Sequence, residues 1–108
     1  MTPSLTGKQR RHLRALAHDL KPVVHLGHAG LTDSVLAALD SALESHELVK
    51  VKLLSECPES PEEIAPRIEV GTRSAVAQVI GRTLVVYRRR KDKPVIRLPG
   101  AGGAGEKE

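Results

Sequence analysis

The chain has 108 residues, enough for one domain and too few for two independent cores. Hydrophobic residues make up 40%, too many for a disordered chain. A single Tyr with no Phe or Trp leaves an aliphatic core and excludes any site built on aromatic stacking. The net charge of +4 makes the chain mildly basic.

In chain order, Thr6 with Gln9 three residues on predicts a capping box, and Leu13, Leu16, Ala17 and Leu20 follow at helical spacing. Lys8, Arg11, Arg14 and His18 form a basic stripe on the opposite side, and Pro22 ends the helix. Pro22 to Leu26 reads as a short buried strand that runs into Gly27-His28-Ala29-Gly30. Thr32 caps a second helix with Asp33 in its first turn, and Val35, Leu39, Ala42, Leu43 and His46 line its inward face. Leu48 to Leu54 alternates as a strand, with Val49, Val51 and Leu53 facing one way and Lys50 and Lys52 the other.

Ser60-Pro61-Glu62-Glu63 is a helix start, but Pro66 within the helix predicts a short or kinked element. Val76 to Ile80 and Thr83 to Arg88 form a hairpin on a Gly81-Arg82 turn. A charged connection, Arg88 to Lys93, leads to a possible edge strand at Val95 to Leu98. The last ten residues, 99–108, read as a flexible Gly-rich tail. The expected architecture is a single α/β sandwich in the order α-β-α-β-α-β-β, with three helices on a mixed four-stranded sheet.

Charge is unevenly laid out. Residues 1–30 carry five basic side chains and one acid, residues 31–69 three and nine, and residues 70–108 nine and three. Two basic ends flanking an acidic middle suggest an electropositive surface with an acidic face turned from a polyanion.

Little points to catalysis. No nucleophile elbow, Walker loop or dinucleotide fingerprint is present. The five histidines (His12, His18, His25, His28, His46) have no nearby third ligand in sequence, so neither metal nor any other cofactor is expected. Cys57 is the lone cysteine, which excludes an internal disulfide and a CxxC zinc pair. No run approaches the roughly 18 apolar residues of a membrane span. The N-terminal MTPSLTGKQRRHLRALAH lacks an export signal's apolar run, so the expected location is cytoplasmic.

Gly27-His28-Ala29-Gly30 is more informative. Two glycines three apart, between a strand and a helix start, let backbone N–H groups approach a phosphate backbone, as in the GxxG loop of KH domains. On spacing alone, a tight strand-to-helix turn needing positive φ is the plainer reading. Lys8, Arg11, Arg14 and Lys21 shift it toward a phosphate groove if the two surfaces lie together. Lys50 and Lys52 divide evenly between a solvated sheet face and RNA contact, and the Arg88–Lys93 run reads as a solvated loop that widens the positive field.

LRALAH (13–18), KPVVHLGHAGLT (21–32), HELVKVKL (46–53) and QVIGRTLVVYR (78–88) together resemble the stand-alone bacterial YhbY-type proteins, each a single CRM (chloroplast RNA splicing and ribosome maturation) domain. The likeness runs from about Leu5 to Leu98. It implies an RNA-binding domain over residues 1–98, similar in fold to the C-terminal domain of translation initiation factor three. It further implies ribosomal RNA or a pre-ribosomal large-subunit particle as partner. The family's GxxG loop maps onto Gly27, His28, Ala29 and Gly30, and its basic surface corresponds to Lys8, Arg11, Arg14 and Lys21. This loop departs from the family in carrying His28-Ala29 where a basic or amide residue is common.

The functional expectation is a monomeric, non-catalytic assembly factor for the large ribosomal subunit, with no membrane or small-molecule partner. The alternative is a protein-interaction module that docks on a ribosomal or translation protein through Asp40, Glu44, Glu47, Glu62 and Glu63.

Overall fold

The strand Leu48–Leu53 alternates apolar and lysine side chains, and the other elements assemble around it. A computed structural model describes residues 5–98; the expected tail lies outside the described residues. The elements are α1 (Gly7–Ala17), β1 (Val24–Leu26), α2 (Asp33–His46), β2 (Leu48–Leu53), α3 (Pro61–Thr72), β3 (Ala75–Ile80) and β4 (Thr83–Tyr87). Their order is the one expected. The sheet runs β1-β2-β4-β3, with β1 parallel to β2 and the other pairs antiparallel.

Period two sorts the sheet into two faces. Val24, Leu26, Val49, Val51, Leu53, Leu84 and Val86 pack against Leu39 and Leu43 of α2 and Ile64 and Ile68 of α3. On the other face Leu48, Val85 and Tyr87 meet Leu13 and Ala17 of α1, with Ile96 and Leu98 closing over them. The sandwich therefore has three layers, with α1 alone on one side.

Helix starts match their sequence signals. Thr6 and Gln9 form the capping box, Thr32 Oγ1 accepts from the Val35 amide, and Ser60 and Glu63 form a second box. The hairpin turns at Gly81, whose φ of 61° at the first turn position, with none positive at Arg82, is the pattern of a type II′ turn.

Five expectations change. Helix α1 stops at Ala17, well before Pro22. Leu16 and Leu20 are exposed rather than buried, because α1 covers only part of its sheet face. They line an apolar groove of about 510 Å³ with Lys21, Val23, His46, Leu48 and Ile96. His46, expected on the inward face of α2, is exposed there.

Helix α3 is not short: it continues through Pro66 to Thr72. Proline forfeits one backbone bond there, and burial of Ile64 and Ile68 on either side outweighs the loss. Val95 to Leu98 forms no strand. The segment is a strap tied by Glu47, which is fully buried with φ 64°. Its carboxylate accepts from the amides of Arg90 (2.9 Å), Val95 (2.8 Å) and Ile96 (2.7 Å), and its carbonyl accepts from the Arg88 amide. Burial raises the Glu47 carboxyl pKa, but the three amide donors and the nearby Arg90 charge more than offset this and hold it below the usual value.

Three outcomes follow from this packing. Pro66→Ala restores the missing donor and should raise stability by about 1–3 kcal/mol in urea unfolding. Glu47→Ala orphans three amides and should lower it by about 2–4 kcal/mol, with faster hydrogen exchange at Arg90, Val95 and Ile96. Because the folded carboxyl value is depressed, the Glu47 contribution is complete above the ordinary glutamate value of 4.5 and is lost as pH falls through the folded value. The wild type should therefore lose stability below about pH 4.5 more steeply than Glu47→Ala.

Candidate functional site

Strand directions gather the connections at two ends of the sheet. At one end lie the turn after β1, the segment after β2 and the β3–β4 hairpin turn. The Leu54 amide donates to the Leu26 carbonyl (2.8 Å) and the Leu53 amide to the Arg82 carbonyl (2.8 Å). Both α2 and α3 also begin at this end, so their positive dipole ends point toward it, partly offset by Asp33, Glu62 and Glu63.

Residues 27–30 form a β-turn closed by the Gly30 amide on the Gly27 carbonyl (2.9 Å), with His28 and Ala29 exposed at its tip. The two glycines differ. Gly30 has φ 71°, and a Cβ there would lie 2.5 Å from Glu59 Oε1. That oxygen accepts from the Leu31 amide (3.0 Å), while Arg67 pairs with the other carboxylate oxygen and reaches the Leu31 carbonyl. The Leu31 amide, with Arg67, holds the Glu59 carboxyl below its usual value against the opposing effect of burial. Gly30 is therefore part of a lock between the turn and α3. Gly27 is not: its φ is not positive and a Cβ would meet nothing within 4 Å.

The basic residues divide. Lys52 is exposed on the α1 side of the sheet, in register with the equally exposed His25 of β1. Gly27 follows His25 by two residues, about 7 Å along the strand direction. Lys50 is half-buried, its Nζ donating to the His18 carbonyl at the end of α1 (3.4 Å). Arg14 and Leu16 lie about 200° apart around α1 and face opposite flanks. Leu16 opens on the groove with Leu48 and Ile96, and Arg14 is exposed on the flank away from it. Lys8 and Arg11 are exposed on the outer side of α1. Lys21 lies apart, lining the apolar groove at the other end of β2.

Two cations beside the turn escaped the sequence reading. Arg82 folds back from the hairpin, donating from Nε to the Leu53 carbonyl (3.3 Å) and from Nη2 to the Leu54 carbonyl (3.0 Å). Its position in a Gly-first turn was the available signal. Arg67 is brought in by the fold alone. Conversely, Arg10 is structural: Nη1 donates to the Val76 (2.9 Å) and Ala77 (3.1 Å) carbonyls at the β3 bulge.

The acidic residues of the alternative reading do not form one free face. Glu47 is buried under the strap, Asp40 and Glu44 pair with Arg88 at 2.6 and 3.1 Å, and Glu63 completes a capping box. Among the described residues no group of three or more His, Cys, Asp or Glu converges to hold a metal, and no helix is long and apolar enough to cross a membrane.

A three-layer domain with a locked glycine turn at the end of an edge strand, flanked by basic side chains, defines a recognisable class. The CRS1 / YhbY (CRM) domain model matches residues 5–88, and the chain belongs to that family. It is 41% identical over 95 residues, 88% of this chain and 99% of the relative, to the Bacillus subtilis (strain 168) protein named "Probable RNA-binding protein YqeI". It is 44% identical over 96 residues, 89% of this chain and 96% of the relative, to a Haemophilus influenzae protein named "RNA-binding protein". The solution structure of the Staphylococcus aureus protein SAV1595 superposes with a TM-score of 0.76 at 40% identity, covering 89% of this chain and all of that one.

The two glycines should separate in experiment. Gly30→Ala should cost about 1–3 kcal/mol, from positive φ and displacement of Glu59. Gly27→Ala should leave the urea midpoint unchanged or raise stability by up to about 1 kcal/mol through a less flexible unfolded chain.

Proposed function

We propose that the chain binds structured ribosomal RNA by its sugar–phosphate backbone, through residues 27–30 and the adjoining basic surface of Arg14, Lys50, Lys52 and Arg82. In this reading it acts, without catalysis, as a cytoplasmic, monomeric assembly factor on precursors of the large ribosomal subunit. Lys8 and Arg11 extend the positive field along α1, and Lys21 contributes only at its margin.

One observation carries the reading. Gly27 is a glycine that the fold does not need, placed where a Cβ would project into open space beside exposed cations. Its smallness serves whatever approaches the turn from outside. The exposed amides of a tight turn and the surrounding cations suit an anion, and the scarcity of aromatic residues favours recognition by phosphate, sugar and shape over base stacking. Membership of the CRM family and relatives named RNA-binding proteins support RNA as the polyanion. Arg82 holds carbonyls through Nε and one terminal nitrogen, leaving the rest of its guanidinium for a phosphate.

The test is binding of a pre-ribosomal RNA fragment across a salt series. Affinity should fall by roughly 0.7–0.9 log units per log unit of salt for each phosphate neutralised. Gly27→Asp should lose at least about tenfold in affinity, about 1.4 kcal/mol, with its unfolding midpoint retained. Arg14→Glu/Lys52→Glu should lose more and show a shallower salt slope. Wild-type affinity in both folded variants would remove this surface from consideration.

A further inference from the structure

At the end of the sheet opposite the glycine turn, β4 delivers the chain into the strap, residues 88–98. Here the basic run that reads as a solvated loop in the sequence is held in place. The Glu47 carboxylate gathers the amides of Arg90, Val95 and Ile96, and Ile96 and Leu98 pack on the α1-side core. Arg88 is consumed internally, on Asp40, Glu44 and the Thr72 carbonyl at the end of α3.

The side chains of Arg73, Arg89, Lys91, Lys93 and Arg97 are exposed and make no hydrogen bond or ion pair among the described residues. Asp92 is the one acid within the strap. Arg89 lies between two hollows, one shared with Arg73 and Lys91, the other with Tyr87 and Arg97.

We propose that this pre-positioned basic strap is a second polyanion site, and that one molecule holds two RNA segments at once, one at each end of the sheet. The proposal rests on RNA being the ligand of the glycine-turn end. Three physical points support it. β2 alone separates the two ends by about 17 Å, whereas charges are screened over about 8 Å at physiological salt. The two cationic groups therefore act on different phosphates rather than as one field. The Glu47 tie fixes the strap backbone before any ligand arrives, which lowers the ordering cost of binding. Finally, Arg88 pairs with both Asp40 and Glu44, the acids lining the hollow of Arg73, Arg89 and Lys91, so one net negative charge rather than two opposes a polyanion there.

Two non-complementary RNA hairpins test this, one immobilised and one fluorescent, with the full chain added at stoichiometric amounts. Wild type should retain the fluorescent hairpin on the surface, and light scattering should give one protein with two RNAs. Arg89→Gln/Lys91→Gln/Arg97→Gln leaves the amides bound by Glu47 intact, so its melting midpoint should hold. It should bind the immobilised hairpin within about threefold of wild type but capture at least about tenfold less of the second.

Several outcomes would overturn the proposal: no capture by wild type, equal capture by the triple variant, equal loss of both hairpins, or two proteins per two RNAs. The loop reading fails separately, if Gly27→Asp leaves occupancy of both hairpins unchanged while the triple variant still loses the second.

Discussion

Strand β2 lies between a parallel neighbour and an antiparallel one, and this placement governs the rest of the molecule. Val49, Val51 and Leu53 must face α2 and α3 to build the larger core, and period two then forces Lys50 and Lys52 onto the opposite face. Slippage by one residue would bury both lysines. Helix α1 covers that second face over Leu48, Ala77, Val85 and Tyr87, leaving the lysines at its edge. The same pairings collect the glycine turn and the hairpin turn at one end of the sheet and the strap at the other.

Charged side chains serve as fasteners as well as surface. Arg10 satisfies two carbonyls at the β3 bulge, where the ladder slips and leaves backbone groups without strand partners. Glu59 with Arg67 secures the residue after the glycine turn, and Glu47 secures the strap. In each case an ionised group meets backbone donors or acceptors, the arrangement in which such bonds are strongest. A domain with almost no aromatic side chains thus supplements its aliphatic core with a few well-placed polar ties.

The contrast between the two glycines bears on how the turn works. Gly30 serves folding, since its backbone angle and the crowding from Glu59 leave no room for a side chain. Gly27 has room for one and lacks it. A turn locked from behind by Glu59 and Arg67 and bare in front presents a fixed shape to a ligand with little to reorganise on contact.

Much of this was legible from local chemistry. Capping boxes at Thr6 and Ser60, the alternation of Leu48–Leu53 and the Gly-first hairpin turn act within a few residues, so they can be read along the chain. The element order and the glycine turn followed from them. Long-range contacts decided the rest. Pro66 reads as a breaker because propensity is local, yet buried isoleucines on either side carry the helix through. Glu47 reads as one more surface acid, and only the return of the strap encloses it. Arg82 reads as a turn residue and Arg10 as one more basic side chain of the first thirty residues until the sheet places carbonyls beneath them. The sequence by itself determined which elements form and which residues are basic. Tertiary structure decided which cations are spent inside the fold and which remain free, because a charge's partner is set by what the fold brings beside it, often dozens of residues away.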